Sequence, residues 1–261
     1  MRMIDLFSGI GGFHLAAEWV WGEDLEVLCH CEKEWFPHQV LKKHWPHVPC
    51  VEDIHDLRGD QFGTVDLITG GFPCQPYSVA GKRRGAKDDR ALWPEMFRII
   101  TEAKPRIILG ENVANFANMG IDSAISDLES NGYEVGQYII PACAVDAKHR
   151  RDRVWIVAYN NKNNVPTIKT EKSFREISIY SEKRNFCDIN GARSLGTLRA
   201  MPYDRILREL HGIPRRVDRL GALGNAIVPQ VAAVIMSAIK EVDRVYNKSL
   251  HATKPAPHSF S

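Results

Sequence analysis

The chain has 261 residues, 44% of them hydrophobic and 25% charged, which argues against a collagen-like or low-complexity polymer and suits one large domain with a small appendage. A formal net charge of only +2 and a pI near 8.2 leave any nucleic-acid partner to be argued from local basic clusters. No run reaches the roughly 20 apolar residues of a membrane span, the first strand leaves no room for a signal peptide, and six cysteines lack metal-site spacing, so free thiols, no metal and a cytoplasmic setting are expected.

In chain order, an apolar run at Met3–Phe7 reads as a strand, ends in a glycine-rich turn and gives way to a helix over Phe13–Trp21. A second strand, Glu26–Cys31, places Cys29 and Cys31 on one face and precedes a helix at Phe36–His44. Strands at Val65–Thr69 and Arg106–Gly110 bracket a helix at Leu92–Ala103. A helix at Ile121–Asn131 then leads to strands at Val135–Pro141 and Val154–Tyr159. This alternation predicts an α/β sheet of buried, parallel-type strands with helices on both faces, over residues 1–159. From Asn160 the texture turns polar, with the run Asn160-Asn161-Lys162-Asn163-Asn164, so residues 160–211 form a small insert. Residues 212–247 return with an amphipathic helix from about Pro229 to Tyr246, and the polar tail 248–261 is expected to be disordered.

Glycines after the first strand let the backbone turn sharply and approach a ligand at a helix N-terminus. Glu32 ends the second strand, where a carboxylate can take ribose hydroxyls, and Asp53 follows the next strand region. Two acids at successive strand ends behind a glycine turn point to a nucleoside-containing cofactor, its identity open at this point. Cys74 lies between two prolines after Gly70-Gly71-Phe72. Pro-Cys-Gln-Pro is a poor sequence for core packing and a good one for presenting a nucleophilic thiolate at a sheet edge. Lys82, Arg83, Arg84 and Lys87, interleaved with Gly81 and Gly85, suggest a loop that closes on phosphates.

Five stretches in order carry a resemblance. They are Asp5-Leu6-Phe7-Ser8-Gly9-Ile10-Gly11-Gly12, Gly71-Phe72-Pro73-Cys74-Gln75-Pro76-Tyr77-Ser78, Glu111-Asn112-Val113, Arg151-Asp152-Arg153, and Leu223-Gly224-Asn225-Ala226-Ile227-Val228-Pro229. Together they resemble the cytosine-C5 DNA methyltransferase family, in particular its compact phage and prophage members. The resemblance implies a Rossmann-like S-adenosylmethionine-dependent methyltransferase domain with a small target-recognition insert. It implies that Phe7 packs on the adenine and that Ser8, Gly9, Gly11 and Gly12 form the turn, Gly9 and Gly11 admitting the methionine portion. Glu32 would take the ribose and Asp53 the adenine amino group, with Lys33, Ile54 and Trp93 lining the site and Asn225 and Ala226 touching it from the C-terminal motif.

For the chemistry, the resemblance implies attack by Cys74 on carbon-6 of a flipped-out cytosine. Glu111 would hold the ring's N3 and supply a proton, while Arg151 and Arg153 orient the base carbonyl and steady the thiolate and Glu111. Gln75, Ser78, Lys82, Arg83, Arg84 and Lys87 are the implied DNA contacts. The partner is double-stranded DNA, with a monomeric enzyme and a cognate restriction nuclease as further expectations.

Three departures stand out. Lys33 replaces an apolar residue expected against the adenine, its aliphatic stem being a possible substitute. His149 stands where glutamine is usual. The insert is short for reading several base pairs, which implies a short or relaxed recognition site. Two alternatives share these residues: a catalytically silent DNA-binding homologue, and an RNA cytosine-5 methyltransferase of the same fold.

Overall fold

The structure is a computed structural model, and residues 1–73, 92–118, 120–147, 149–160 and 222–252 are described. Seven strands form one sheet: β1 Arg2–Leu6, β2 Glu26–Cys31, β3 Cys50–Val51, β4 Leu67–Gly70, β5 Ile107–Val113, β6 Tyr133–Pro141 and β7 Asp152–Asn160. Five α-helices of ten residues or more among the described residues accompany them: α1 Gly12–Trp21, α2 Trp35–His44, α3 Trp93–Ala103, α4 Ile121–Ser130 and α5 Pro229–Ala252. The strand order is β3-β2-β1-β4-β5-β7-β6.

Why the central strands are apolar on both sides follows from the two layers they separate. Met3, Leu67, Ile107 and Trp155 face α1 and α5, packing with Phe13, Ala17, Val231, Ile235 and Met236. Their neighbours Ile4, Ile68, Ile108 and Val154 face the other layer, with Met96, Ile99 and Ile100 of α3 and Ala124 and Leu128 of α4. Cys29 and Cys31 share that second cluster and are free thiols. Burial pushes the Cys29 thiol up to about 12 and the Cys31 thiol higher still, so both are inert.

The expectation of uniformly parallel-type strands is corrected at one end. β7 runs antiparallel to both β5 and β6. The stretch between Pro141 and Asp152 is too short for a parallel crossover, and among its described residues the helical element is a 3-10 turn at Ala142–Val145. The strand region expected before Asp53 is the two-residue β3, too short for any periodicity to give its bounds. At the C-terminus, α5 continues through Ala252, past the expected start of the tail at residue 248.

Helix α5 belongs to a segment long and apolar enough, by length and composition, to cross a membrane. Its apolar side is already packed, since Val231, Ala232, Ala233, Ile235, Met236 and Ile239 are buried in the sheet's α1 layer. Asp243 pairs bidentately with Arg106 at the start of β5, and the Lys240 ammonium donates to the Val20 carbonyl at 2.7 Å. The predicted insert, apart from Asn160, and Gly212-Ile213-Pro214 lie outside the described residues.

The four parallel pairings put the carboxyl ends of β3, β2, β1, β4 and β5 on one edge. Sequence order reverses between β1 and β4, which opens a crevice at that edge.

Candidate active site

β1 ends at Leu6, and the chain then turns back through Phe7, Gly9 and Gly11 at positive φ (53°, 55° and 85°). The turn is braced internally. The Ser8 hydroxyl donates to the Asp5 carbonyl at 2.7 Å, the Gly11 amide donates to the Ser8 carbonyl, and the Ser8 amide donates to the Cys31 carbonyl. Helix α1 has no side-chain cap, so the turn supplies its N-terminus.

The three predicted glycines do different work. A Cβ at Gly9 would meet nothing within 4 Å, so open space lies above this residue. At Gly11 a Cβ would stand 2.2 Å from the Trp45 ring, and at Gly12 it would stand 2.6 Å from the Ile227 side chain. Gly9 therefore leaves room at the crevice, Gly12 is small because Ile227 occupies its Cβ space, and Gly11 answers both to its positive φ and to Trp45.

Glu32, buried at the end of β2, faces this turn. Its carboxylate accepts from the Gly9 amide and the Glu34 amide, both at 2.7 Å. Burial raises its pKa despite those donors. Asp53 accepts from the His55 amide and ring and from the Lys33 ammonium at 2.9 Å. The His55 donors, then Lys33, hold the Asp53 carboxyl well below its usual range. Lys33 thus sends its charged head to Asp53.

Ile54 is buried in the core cluster, with Phe7 half-buried against it. The Trp93 indole donates to Asp127 at 2.8 Å and lies 5.2 Å from the Phe72 ring.

The second half of the crevice lies one strand over. Gly70 and Gly110 pair in register on β4 and β5, so Gly71 and Glu111 emerge side by side. A Cβ on Gly71 would sit 3.3 Å from Glu111 Oε2. Glu111 is buried, and burial pushes its carboxyl up to about 7 although Arg153 and Arg151 favour the charged form. Arg153 Nε lies 2.9 Å from Glu111 Oε1 and its Nη1 donates to the Asp152 carbonyl.

Arg151 is placed otherwise. Its Nη2 donates to the carbonyls of Gly224 (2.8 Å) and Ala226 (2.7 Å), just before α5, and its buried Nε has no partner among the described residues. Residues 222–225, which include Asn225, form one helical turn there, closed by the Ala226 amide on the Ala222 carbonyl. His149 is exposed.

Two residues that sequence reasoning passed over are central here. Asn112 is buried; its amide donates to the Phe72 carbonyl at 3.1 Å while its oxygen accepts from the Val113 amide, pinning the chain two residues before Cys74. It stood next to Glu111 in a stretch already singled out, which was the available signal. Asp5 is fully buried beneath the glycine turn, where burial pushes its carboxyl up to about 7. It accepts from the Thr69 hydroxyl at 2.6 Å, and its Oδ2 has no partner among the described residues.

Cys74, Gln75, Ser78, Lys82, Arg83, Arg84 and Lys87 lie outside the described residues. Among the described residues no group of three potential ligands is placed to hold a metal ion.

Comparison with known proteins places these features in context. Residues 1–208 match the family model described as C-5 cytosine-specific DNA methylase. The Type II methyltransferase M.HgiCII of Herpetosiphon aurantiacus is 32% identical over 191 residues, covering 70% of this chain and 41% of the relative. The Type II methyltransferase M.HhaI of Haemophilus parahaemolyticus is 29% identical over 181 residues, covering 67% and 54% respectively. Among solved structures, a Spodoptera frugiperda DNMT2 mutant is similar with a TM-score of 0.55 and 25% identity, covering 64% of this chain and 52% of that one. The matched regions thus span about half the length of these relatives.

Proposed function

The chain belongs to the C-5 cytosine-specific DNA methylase family, and on that premise we propose that it methylates carbon-5 of a flipped-out cytosine in duplex DNA through a covalent adduct with Cys74. The observation that carries this reading is Glu111: a buried carboxyl pushed up to about 7, held by Arg153, and set against Gly71 at the start of the Gly-Phe-Pro-Cys stretch. A carboxyl near neutrality can both accept from and protonate a ring nitrogen at working pH.

The crevice fits S-adenosylmethionine. Open space over Gly9 sits beside the buried Glu32 carboxylate, and Asp53 follows at the next strand end. In this reading Phe7, Glu32 and Asp53 hold the adenosine, the glycine turn and residues 225–226 the methionine portion. When bound, the cofactor supplies an electrophilic methyl group.

The chain's own residues do the rest. The Cys74 thiolate adds its electron pair to carbon-6 of cytosine, and Glu111 gives its proton to N3 as the ring's electron density moves toward carbon-5, making that atom nucleophilic. Arg153 keeps the resulting Glu111 carboxylate oriented. After carbon-5 gains the methyl group, loss of its proton to a water acting as base expels the Cys74 thiolate; N3 returns its proton to Glu111. The loop residues Gln75, Ser78, Lys82, Arg83, Arg84 and Lys87 grip the DNA in this reading.

Trapping tests it: a 5-fluorocytosine duplex with S-adenosylmethionine gives a covalent complex that the Cys74→Ala variant does not form. A duplex that is bound but never trapped supports the silent binder instead. Preferential trapping of 5-fluorocytosine-substituted transfer RNA supports the RNA enzyme.

A further inference from the structure

We propose that Ile227 is a positioning residue that couples the cofactor turn to the Glu111 pocket, its side chain filling the space left by Gly12 and reaching to within van der Waals contact of the Cβ position of Gly71. At Gly12, a Cβ would stand 2.6 Å from Ile227 Cγ1 and 3.3 Å from its Cδ1. At Gly71, a Cβ would be 4.0 Å from Ile227 Cγ2 and 3.3 Å from Glu111 Oε2. One branched side chain therefore reaches both the first turn of α1 and the edge where Glu111 emerges. Neither glycine has a positive φ, so crowding explains Gly12 and conformational freedom does not.

The wedge is held from both sides. Upstream, Arg151 grips the carbonyls of Gly224 and Ala226, the residue immediately before Ile227. Downstream, α5 is fixed by the Arg106–Asp243 pair and the Lys240 contact to Val20. Ile227 itself packs against the cluster formed by α1, α5 and the sheet. A β-branched side chain has few χ1 choices, which suits a residue that must keep two surfaces in register. Interiors transmit strain because they are close-packed, so trimming Ile227 loosens both halves of the site together. This inference rests on the reading that the glycine turn holds S-adenosylmethionine.

A size-swap experiment on the full chain tests it. Wild type, Gly12→Ala, Ile227→Ala, Ile227→Val and the doubles Gly12→Ala/Ile227→Ala and Gly12→Ala/Ile227→Val are compared. The readouts are S-adenosylhomocysteine affinity by calorimetry, single-turnover methyl transfer, and Tm. Gly12→Ala is expected to weaken binding by about tenfold or more, and Ile227→Ala to weaken binding and slow transfer several-fold each, order-of-magnitude figures for a packing clash and a trimmed contact. Ile227→Val keeps both γ carbons and should stay near wild type. The Ala/Ala double should recover affinity over Gly12→Ala alone, and the Ala/Val double should not, because Cγ1 remains. Additive losses in the Ala/Ala double, recovery in the Ala/Val double equal to that of Ala/Ala, or an Ile227→Ala variant within about twofold of wild type in both binding and transfer, overturn the inference alone. A wild-type chain that binds no S-adenosylhomocysteine overturns the functional reading and takes this inference with it.

Discussion

Replacing Glu111 by Gln is expected to stabilise the protein at alkaline pH while removing its activity. The reason lies in where the carboxyl sits. Burial pushes its pKa from 4.5 up to about 7, against the pull of Arg153 and Arg151. Between those two values the folded state binds more protons than the unfolded chain, so stability falls as pH rises through the window. Below about pH 4.5 the group is neutral in both states and costs nothing; above about 7 the full penalty is present. A difference of that size corresponds to about 3 kcal/mol at most. Gln mimics the neutral acid and does not titrate. Wild type and E111Q should therefore differ least near pH 5, with the variant gaining steadily toward pH 8, by up to about 6–12 °C in Tm for a domain of this size. Asp5 also titrates near 7, but it does so in both proteins and cancels in the difference. Denaturant or thermal melts from pH 5 to 8 give the curve directly. A difference that is flat with pH, or that favours wild type increasingly at high pH, would show that Glu111 is not a strained neutral-range acid. In the same protein, methyl transfer should fall by about 10²–10⁴-fold, the usual worth of a general acid, with S-adenosylhomocysteine affinity little changed.

Asn112→Ala leaves the Phe72 carbonyl unpaired in the interior and should cost about 1–3 kcal/mol, with single-turnover transfer reduced far more than cofactor-analogue affinity. Lys33→Leu releases Asp53 from its ion pair and should leave S-adenosylhomocysteine binding equal or up to about threefold tighter and less sensitive to salt, read by calorimetry at low and high ionic strength; a large loss of affinity would show that Lys33 holds the ligand. Asp243→Ala leaves the Arg106 guanidinium with the more distant Asp66, at 3.8 Å, and should lower stability by about 1–2 kcal/mol, between the values for exposed and buried pairs, measured by denaturant unfolding. Arg153→Ala should raise the midpoint of the pH–rate profile more than Arg151→Ala does, because Arg153 is the stronger of the two in favouring the Glu111 carboxylate.

Much of this site could be read from residue order because its parts are local. A strand that ends in Ser8-Gly9-Ile10-Gly11-Gly12 must turn there, and Glu32 falls at the end of β2 whatever surrounds it. Strands buried on both faces, such as Ile107 and Ile108 in β5, announce themselves by unbroken apolar runs. What escaped is what distance in sequence conceals. The antiparallel entry of β7 depends on the length of its connection to β6, and apolar runs look alike in either direction. That Trp45, far along the chain, occupies the Cβ position of Gly11 could not be read from the turn itself. Nor could the ion pair of the Lys33 ammonium with Asp53, twenty residues away, be read from the strand end. Asn112 is an ordinary polar residue until the Phe72 carbonyl, brought beside it by the β4–β5 edge, gives its amide a partner.

The two arginines show why a motif must be resolved into separate contacts. Arg151 and Arg153 are two apart on an extended segment, so a single role for the pair is the natural reading. The structure divides them. Arg153 spends its Nε on Glu111, where a fixed positive charge partly offsets the burial that would otherwise drive the carboxyl's pKa higher still. Arg151, at a φ of 37°, reaches two backbone carbonyls that only a planar, many-donor guanidinium can hold with one nitrogen while keeping further N–H groups in reserve. One of those, its buried Nε, has no partner among the described residues. Arg151 thus ties the C-terminal return to the start of β7, whereas Arg153 pairs with Glu111, so two arginines separated by a single residue make separate contacts.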